Sequence, residues 1–347
     1  MIMGESKLHE FYMRRCFELA KLGSKYTKKN PMVGAVITYD NKIIGEGYHK
    51  EYGKQHAEVN ALNSVQEKDK ALLKEATLYV SLEPCFHEGK TPPCVDAVLK
   101  NSIKKVVVSC LDPFEKVAGK SINKLKANGV DVTTGILEKQ GRYLIRKFIA
   151  NTIEKRPYVV LKFAQSYDGY IGKKDQAIWL TNKFSKTLTH KWRSEVDGIM
   201  VGTQTAVVDN PKLTNRLYTG DSPMRIILDR NKRIPDSTHV LSDSYPTLMF
   251  TQDPNYKLIP NKTVIHIPEW SLPTILQKLY EQEIYSLIVE GGKSLLQSFI
   301  TEELWDEYRI FRTQKNLNSG IKAPLIQSKF FAQEVLDGDV LSYGYRK

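Results

Sequence analysis

Cysteine is scarce, with four in 347 residues, too few for a disulfide framework in a chain of this size. Cys16 and Cys110, on an apolar helical face and at the end of an apolar run, read as small buried thiols of a reducing compartment. No apolar run approaches the roughly 18–20 residues that span a bilayer. The opening Met1-Ile2-Met3-Gly4-Glu5 lacks a basic stretch followed by an apolar block, so no secretory signal is expected. Together these absences predict a cytoplasmic protein with no membrane partner. Internal repeats and low-complexity segments are also missing. The net charge of +12 is spread thinly, as in Lys100, Lys104, Lys105, Lys116, Lys120, Lys124 and Lys126. No five like charges run together, which reads as a solvated surface and does not call for nucleic acid.

What is present starts at His56-Ala57-Glu58, answered by Pro84-Cys85 and, after eight intervening residues, Cys94. One imidazole and two thiolates fill three of the four tetrahedral positions of Zn²⁺ and leave the fourth for water. Glu58 is placed to move protons to and from that water without binding the metal. His-x-Glu with a later Pro-Cys and a second Cys is the signature of zinc hydrolytic deaminases.

Apolar spacing predicts an amphipathic helix over 7–22, closed by Gly23. A hairpin of strands 32–39 and 42–48 follows, then a helix over 57–65 with His56 at its start. Strands are expected at 77–82, 105–110 and 130–136, with a Pro- and Gly-rich loop at 83–93 and a helix from Cys94 to about Asn101. This order gives a three-layer α/β/α domain. His56 and Cys94 would both stand at helix N-termini, where unpaired N–H groups favour a thiolate. A helical connector spans 138–154, and Lys155-Arg156-Pro157 blocks its continuation, so the domains are taken as 1–150 and 151–347. The second half repeats strand and helix: strands at 158–165, 198–201, 224–228, 247–251, 263–267 and 286–289, and a helix over 182–196. It too is an α/β domain.

Deaminases of nucleosides and RNA usually carry two residues between their cysteines. With eight there, and the ending Gly89-Lys90-Thr91-Pro92-Pro93-Cys94, the first half resembles the bifunctional deaminase/reductase of riboflavin biosynthesis. Asn30-Pro31-x-Val33-Gly34-Ala35-Val36, His49 and Asp112-Pro113 match its other landmarks. The resemblance implies a cytidine-deaminase-like fold and hydrolytic loss of the 2-amino group from a 2,5-diamino-6-ribosylaminopyrimidinone 5′-phosphate. It places Asn30 on the pyrimidine, and His49, His87, Lys90 and Asp112 on the substrate's polar and phosphate groups. The family commonly has Asn two residues after Asp112, where this chain has Phe114.

In the second half, Val289-Glu290-Gly291-Gly292-Lys293-Ser294 passes from a strand into a helix, where glycines let the backbone approach a phosphate. There is no Gly-x-Gly-x-x-Gly, so a Rossmann domain is not inferred. Separated motifs resemble the reductase half of the same riboflavin enzyme, with a dihydrofolate-reductase-like fold. They are Leu161-Lys162 with Ser166-x-Asp168-Gly169; Trp179-x-Thr181; Arg193; Gly202-Thr203-x-Thr205; Asp209-Asn210-Pro211-x-Leu213-Thr214-x-Arg216; and Glu290-Gly291-Gly292.

By this resemblance NADPH reduces the ribosyl group to ribityl. Lys162, Asp209 and Glu290 are then expected to be catalytic, and Arg193, Leu213, Arg216 and Glu290 to contact substrate. Ala164, Trp179, Thr181, Thr205, Asp209, Arg230, Gly291, Gly292, Lys293 and Ser294 would line the cofactor cleft. The expected cofactors are Zn²⁺ and NADPH, the expected partner a small pyrimidine ribotide, and the expected assembly a homo-oligomer, dimer or tetramer. The alternative is an RNA or nucleoside deaminase with an unrelated C-terminal domain; the eight-residue gap and the phosphate-ready second half weigh against it.

Overall fold

Along the strands of the N-terminal half, alternate residues belong to different cores. Ala35, Ile37, Leu78, Val80, Val106 and Val108 join one cluster, and Val36, Tyr79 and Val107 another. That two-residue period is what a sheet covered on both faces requires. The computed structural model describes residues 4–24, 26–86, 92–114, 118–256, 259–327 and 332–346. It divides into two compact units, Met1–Glu154 and Lys155–Lys347.

Unit one runs α1 (Glu5–Lys21), β1 (Gly34–Tyr39), β2 (Lys42–Tyr48), α2 (Ala57–Ser64), a 3₁₀ stretch Glu67–Glu75 and β3 (Thr77–Leu82). It continues with α3 (Cys94–Lys100), β4 (Lys105–Cys110), α4 (Lys120–Ala127), β5 (Asp131–Thr134), α5 (Glu138–Leu144) and α6 (Arg146–Ile149). The sheet order is β2-β1-β3-β4-β5, with β1 antiparallel to both neighbours and β3, β4 and β5 parallel. Helix α1 buries Tyr12, Met13, Cys16 and Phe17 on one face; Ala57, Ala61, Val95 and Val98 of α2 and α3 cover the other. Cys16 and Cys110 are buried free thiols in these layers. Helix α2 lies against β2 so closely that a Cβ on Gly47 would come within 2.2 Å of the Ala61 nitrogen. No other residue fits there.

The connector expected over 138–154 is not one helix. It breaks at Ile145 (φ −94°, ψ 13°) and ends in a π-type turn, Ala150–Glu154. The cause is packing: Leu144 is buried in the α1-side cluster and its neighbour Ile145 in the α2–α3-side cluster. Successive residues of a straight helix are only about 100° apart and cannot serve opposite layers.

Unit two contains β6 (Tyr158–Gln165), β7 (Tyr170–Gly172), α7 (Lys183–Arg193), β8 (Gly198–Gly202), α8 (Thr203–Asp209), β9 (Met224–Leu228), α9 (His239–Ser242), β10 (Thr247–Thr251) and β11 (Lys262–His266). After these come α10 (Leu272–Glu281), β12 (Ser286–Val289), α11 (Lys293–Thr301), β13 (Glu307–Arg312), β14 (Ile321–Lys322), β15 (Ala332–Leu336) and β16 (Asp339–Tyr345). Nine strands form one sheet, β11-β10-β9-β8-β12-β6-β13-β16-β15, parallel from β11 to β13 and antiparallel over the last two pairings. Parallel order aligns the carboxyl ends of β6, β8, β9 and β12 on one edge, where open α/β sheets bind ligands. Among the described residues, no helix is long and apolar enough to cross a membrane.

Candidate active sites

In unit one, His56 is the extended N-cap of α2 (φ −76°, ψ 170°) and Cys94 the first residue of α3, while Cys85 follows β3 in the loop. His56 Nδ1 lies 3.3 Å from Cys94 Sγ and 3.4 Å from Cys85 Sγ, and all three donor atoms fall within 4.8 Å of one another. A tetrahedral ion with Zn–N near ~2.0 Å and Zn–S near ~2.3 Å needs N···S separations of ~3.5 Å. The donor set and its spacing fit zinc. The Cys94 amide also donates to Cys85 Sγ at 3.2 Å. Donors converging on Cys85, first the Cys94 thiol and then His56, pull its thiol well below the ordinary range. The bond to Cys85 in turn raises His56.

Glu58, one helical position past Ala57, is 3% exposed. Burial, reinforced by the nearby Cys85 charge, pushes its carboxyl up to about 7. A carboxyl so placed can hold a proton or release one near neutrality. It borders a cavity of about 300 Å³, whose walls include Asn30, His49, Tyr52, Lys54, Asp112 and Phe148 beside His56 and Cys85.

His49 is buried, and both its ring nitrogens are engaged. Nδ1 lies 3.1 Å from the Gln55 carbonyl and Nε2 3.2 Å from Asn30 Nδ2. A carbonyl only accepts, so Nδ1 carries the proton and Nε2 accepts from the Asn30 amide. Burial lowers this imidazole and keeps it neutral. His49 therefore fixes the rotamer of Asn30, turns the amide oxygen to its other side and lines the cavity beside it. Asp112 Oδ1 accepts from the Phe114 amide at 2.8 Å. His87 and Lys90 lie outside the described residues.

Sequence reasoning passed over Glu83. Its carboxylate is buried and accepts from the amides of Asp112 (3.1 Å) and Gly119 (3.0 Å) and from Ser121 Oγ (2.6 Å). It pins the Asp112 end of the cavity wall. The signal was its place, an acid directly before Pro84-Cys85 in an otherwise apolar strand end.

In unit two, β12 pairs with β6 so that Val289 faces Leu161, which sets Glu290 beside Lys162. Lys162 Nζ reaches Glu290 Oε2 at 3.4 Å, and Arg193 of α7 forks onto both Glu290 oxygens at 2.9 Å. All three side chains are only 10–13% exposed. Burial pushes the Glu290 carboxyl up, but Arg193 and Lys162 together outweigh it and hold it at about 2. Burial lowers the Lys162 amine, with Glu290 opposing. Arg216 is exposed; its guanidinium donates to Thr214 Oγ1 at 2.8 Å and meets no carboxylate among the described residues.

Other expected residues scatter more. Leu213 is buried, 3% exposed, with φ +55°, so its side chain belongs to the core. Asp209 ends α8 on the surface, and no ion pair joins it to the Lys162–Glu290–Arg193 cluster among the described residues. Trp179 is 58% exposed, with Lys186 Nζ 4.3 Å from its ring centre, and Thr181 is buried two residues on.

The β12–α11 turn has the form a nucleotide phosphate needs. Gly292 is an N-cap without a side-chain cap, which leaves the first amides of α11 open. A Cβ there would stand 3.3 Å from Thr205 Oγ1, so the turn and the start of α8 share one narrow cradle. Lys293 and Ser294 form the first turn of α11, and Ala164 lies near the end of β6 on the same edge. Arg230 follows β9 at this edge; its Nε donates to Gln252 and its guanidinium lies 6.0 Å from the Trp270 ring centre. These residues fit a phosphorylated dinucleotide.

Fold and sites thus define a zinc-dependent deaminase joined to a dihydrofolate-reductase-like NADPH reductase. The model of the cytidine and deoxycytidylate deaminase zinc-binding region matches residues 6–110, and that of the RibD C-terminal domain matches 157–316. Riboflavin biosynthesis protein RibD of Aquifex aeolicus is 41% identical over 89% of this chain and 88% of its own. The Escherichia coli RibD is 32% identical over 89% of each. Among solved structures, a diaminohydroxyphosphoribosylaminopyrimidine deaminase/5-amino-6-(5-phosphoribosylamino)uracil reductase from Thermotoga maritima superposes with TM-score 0.87. It is 34% identical, over 98% of this chain and 99% of that one. Acinetobacter baumannii RibD gives 0.83 at 32%, with the same coverage. This chain belongs to the RibD family of bifunctional riboflavin-biosynthesis enzymes, deaminase and reductase in one polypeptide.

Proposed function

We propose that unit one removes the 2-amino group of a 2,5-diamino-6-ribosylaminopyrimidinone 5′-phosphate, and that unit two reduces the product's ribosyl group to ribityl. The observation that carries this is the pairing of two sites: a His56–Cys85–Cys94 triangle beside buried Glu58, and a Lys162–Glu290–Arg193 cluster beside a phosphate-ready turn.

His56, Cys85 and Cys94 would hold zinc, which when bound supplies a Lewis acid that makes water nucleophilic near neutral pH. Glu58 takes a proton from that water and passes it to the ring nitrogen, then takes the second proton from the hydroxyl left on the carbon and passes it to the departing amine. Its burial suits it to each direction of transfer. Asn30, held by His49, orients the ring, and Asp112, fixed through Glu83, closes the wall.

In unit two the Gly291–Ser294 turn and Thr205 would hold NADPH, which supplies a hydride to the sugar carbon. Glu290 and Lys162 hold the sugar's polar groups, with Lys162 in reach of supplying a proton, and Arg216 takes the phosphate. Asp209 is proposed as a further hydroxyl contact at the end of α8, and Arg230 as a contact to the cofactor's own phosphate. The enzyme is read as a cytoplasmic homo-oligomer acting on a free ribotide without nucleic acid.

The test is incubation of zinc-loaded protein with the diaminopyrimidine ribosyl phosphate, with and without NADPH. Ammonia should appear without NADPH, and NADPH should be consumed only after it. Release of ammonia from RNA or a free nucleoside, and none from the ribotide, would overturn the reading.

A further inference from the structure

On α7, one turn before Arg193, His190 is 2% exposed and accepts the backbone amide of Arg216 at its Nδ1, 2.9 Å away. The segment it meets is gripped at several points, Asn215 among them, whose amide donates to Ser222 Oγ at 2.9 Å. Arg225 donates to the Lys212 carbonyl at 3.3 Å, Arg193 to the Thr214 carbonyl at 3.1 Å, and His190 accepts from Arg216 itself. The last bond holds the backbone of the residue whose guanidinium donates to Thr214 Oγ1 and meets no carboxylate among the described residues. Arg193 is consumed by Glu290, whereas Arg216 has no carboxylate partner among the described residues and stands exposed beside the cluster.

We infer that His190 is a positioning residue of the reductase: as a neutral imidazole it sets the backbone of Arg216 and so aims this guanidinium at the substrate's phosphate. The inference rests on the reading of Arg216 as the phosphate contact. An amide N–H can only donate, so Nδ1 must be unprotonated and the proton must sit on Nε2. The surroundings enforce that state, since burial, then the charges of Arg193 and Arg216, hold the imidazole down at about 4 against the opposing pull of Glu290. A histidine three residues from Arg193 reaches the same segment because i and i+3 share a helix face.

The test compares two amides that keep the site polar and filled. In His190→Asn the side-chain oxygen can take the branch position of Nδ1 and still accept from Arg216. In His190→Gln the amide reaches further, to the place of Nε2, and that bond is lost. With the deaminated ribotide and saturating NADPH, the Gln variant should raise KM about tenfold at little cost to kcat, the loss expected when a buried amide is left unpaired. The Asn variant should stay within about threefold of wild type. In an Arg216→Ala background, where KM is already raised, His190→Gln should add nothing. Equal KM for Asn and Gln variants, or an undiminished effect of His190→Gln without Arg216, would overturn the inference while leaving Arg216's role intact. Wild-type KM in Arg216→Ala alone would overturn the role of Arg216 and the inference with it.

Discussion

Glu58 is the residue proposed to carry the first reaction, because its carboxyl is buried beside the metal triangle and stays outside it. Glu58→Gln keeps shape and burial but cannot shuttle protons. Ammonia release should fall about 10²–10⁴-fold, while zinc content, read by metal analysis, stays stoichiometric. Glu290 makes a prediction in pH. Its folded carboxyl is held at about 2 against an ordinary 4.5, so it binds protons less readily than the unfolded chain does. Its contribution to stability is complete above pH ~4.5 and is lost as pH falls toward ~2, in total on the order of 3 kcal/mol. Urea midpoints of unit two at pH 5 and pH 3 should therefore diverge more in wild type than in Glu290→Gln. The residues legible in the sequence were those whose chemistry fixes type and spacing, His56, Glu58, Cys85 and Cys94. His190 was not legible, since its partner is a backbone amide that only the fold brings near, and Glu83 showed only its place before Pro84-Cys85, its partners lying 29 to 38 residues on.

At the scale of elements, the metal triangle depends on where α2 starts. Gly47 lets α2 rest directly on β2, and a methyl group there would meet backbone at 2.2 Å. Gly47→Ala should cost about 1–3 kcal/mol and displace the N-cap that carries His56. Thermal midpoint and zinc affinity should fall together; a loss of stability with unchanged zinc affinity would separate the helix's position from the site. Strand β1 and helix α1 were readable from apolar period. Strands β13 and β16 were not, because polar residues occupy inward places and find partners there, and β15 buries none of its residues. Glu307 meets Tyr158 and Arg309, and Asp339 meets Ser185 and the Asn182 amide. A hydrophobic pattern cannot report positions satisfied by pairing. The connector at 138–154 misled for the reverse reason: its residues suit a helix, but Leu144 and Ile145 are claimed by different layers.

For the whole molecule, each unit builds its own core and its own sheet. Chelation of zinc should abolish ammonia release yet leave NADPH oxidation intact when the deaminated ribotide is supplied. Loss of both activities would mean that unit two requires the folded metal site. Within unit one, the adjacent anchors Leu144 and Ile145 have a consequence for how it comes apart. The chain is stitched through both sides of the sheet at a single point, so neither covering layer can peel away without dragging out the other's anchor. Native-state hydrogen exchange should find the amides of α1, α2 and α3 opening at a common free energy, as one cooperative body.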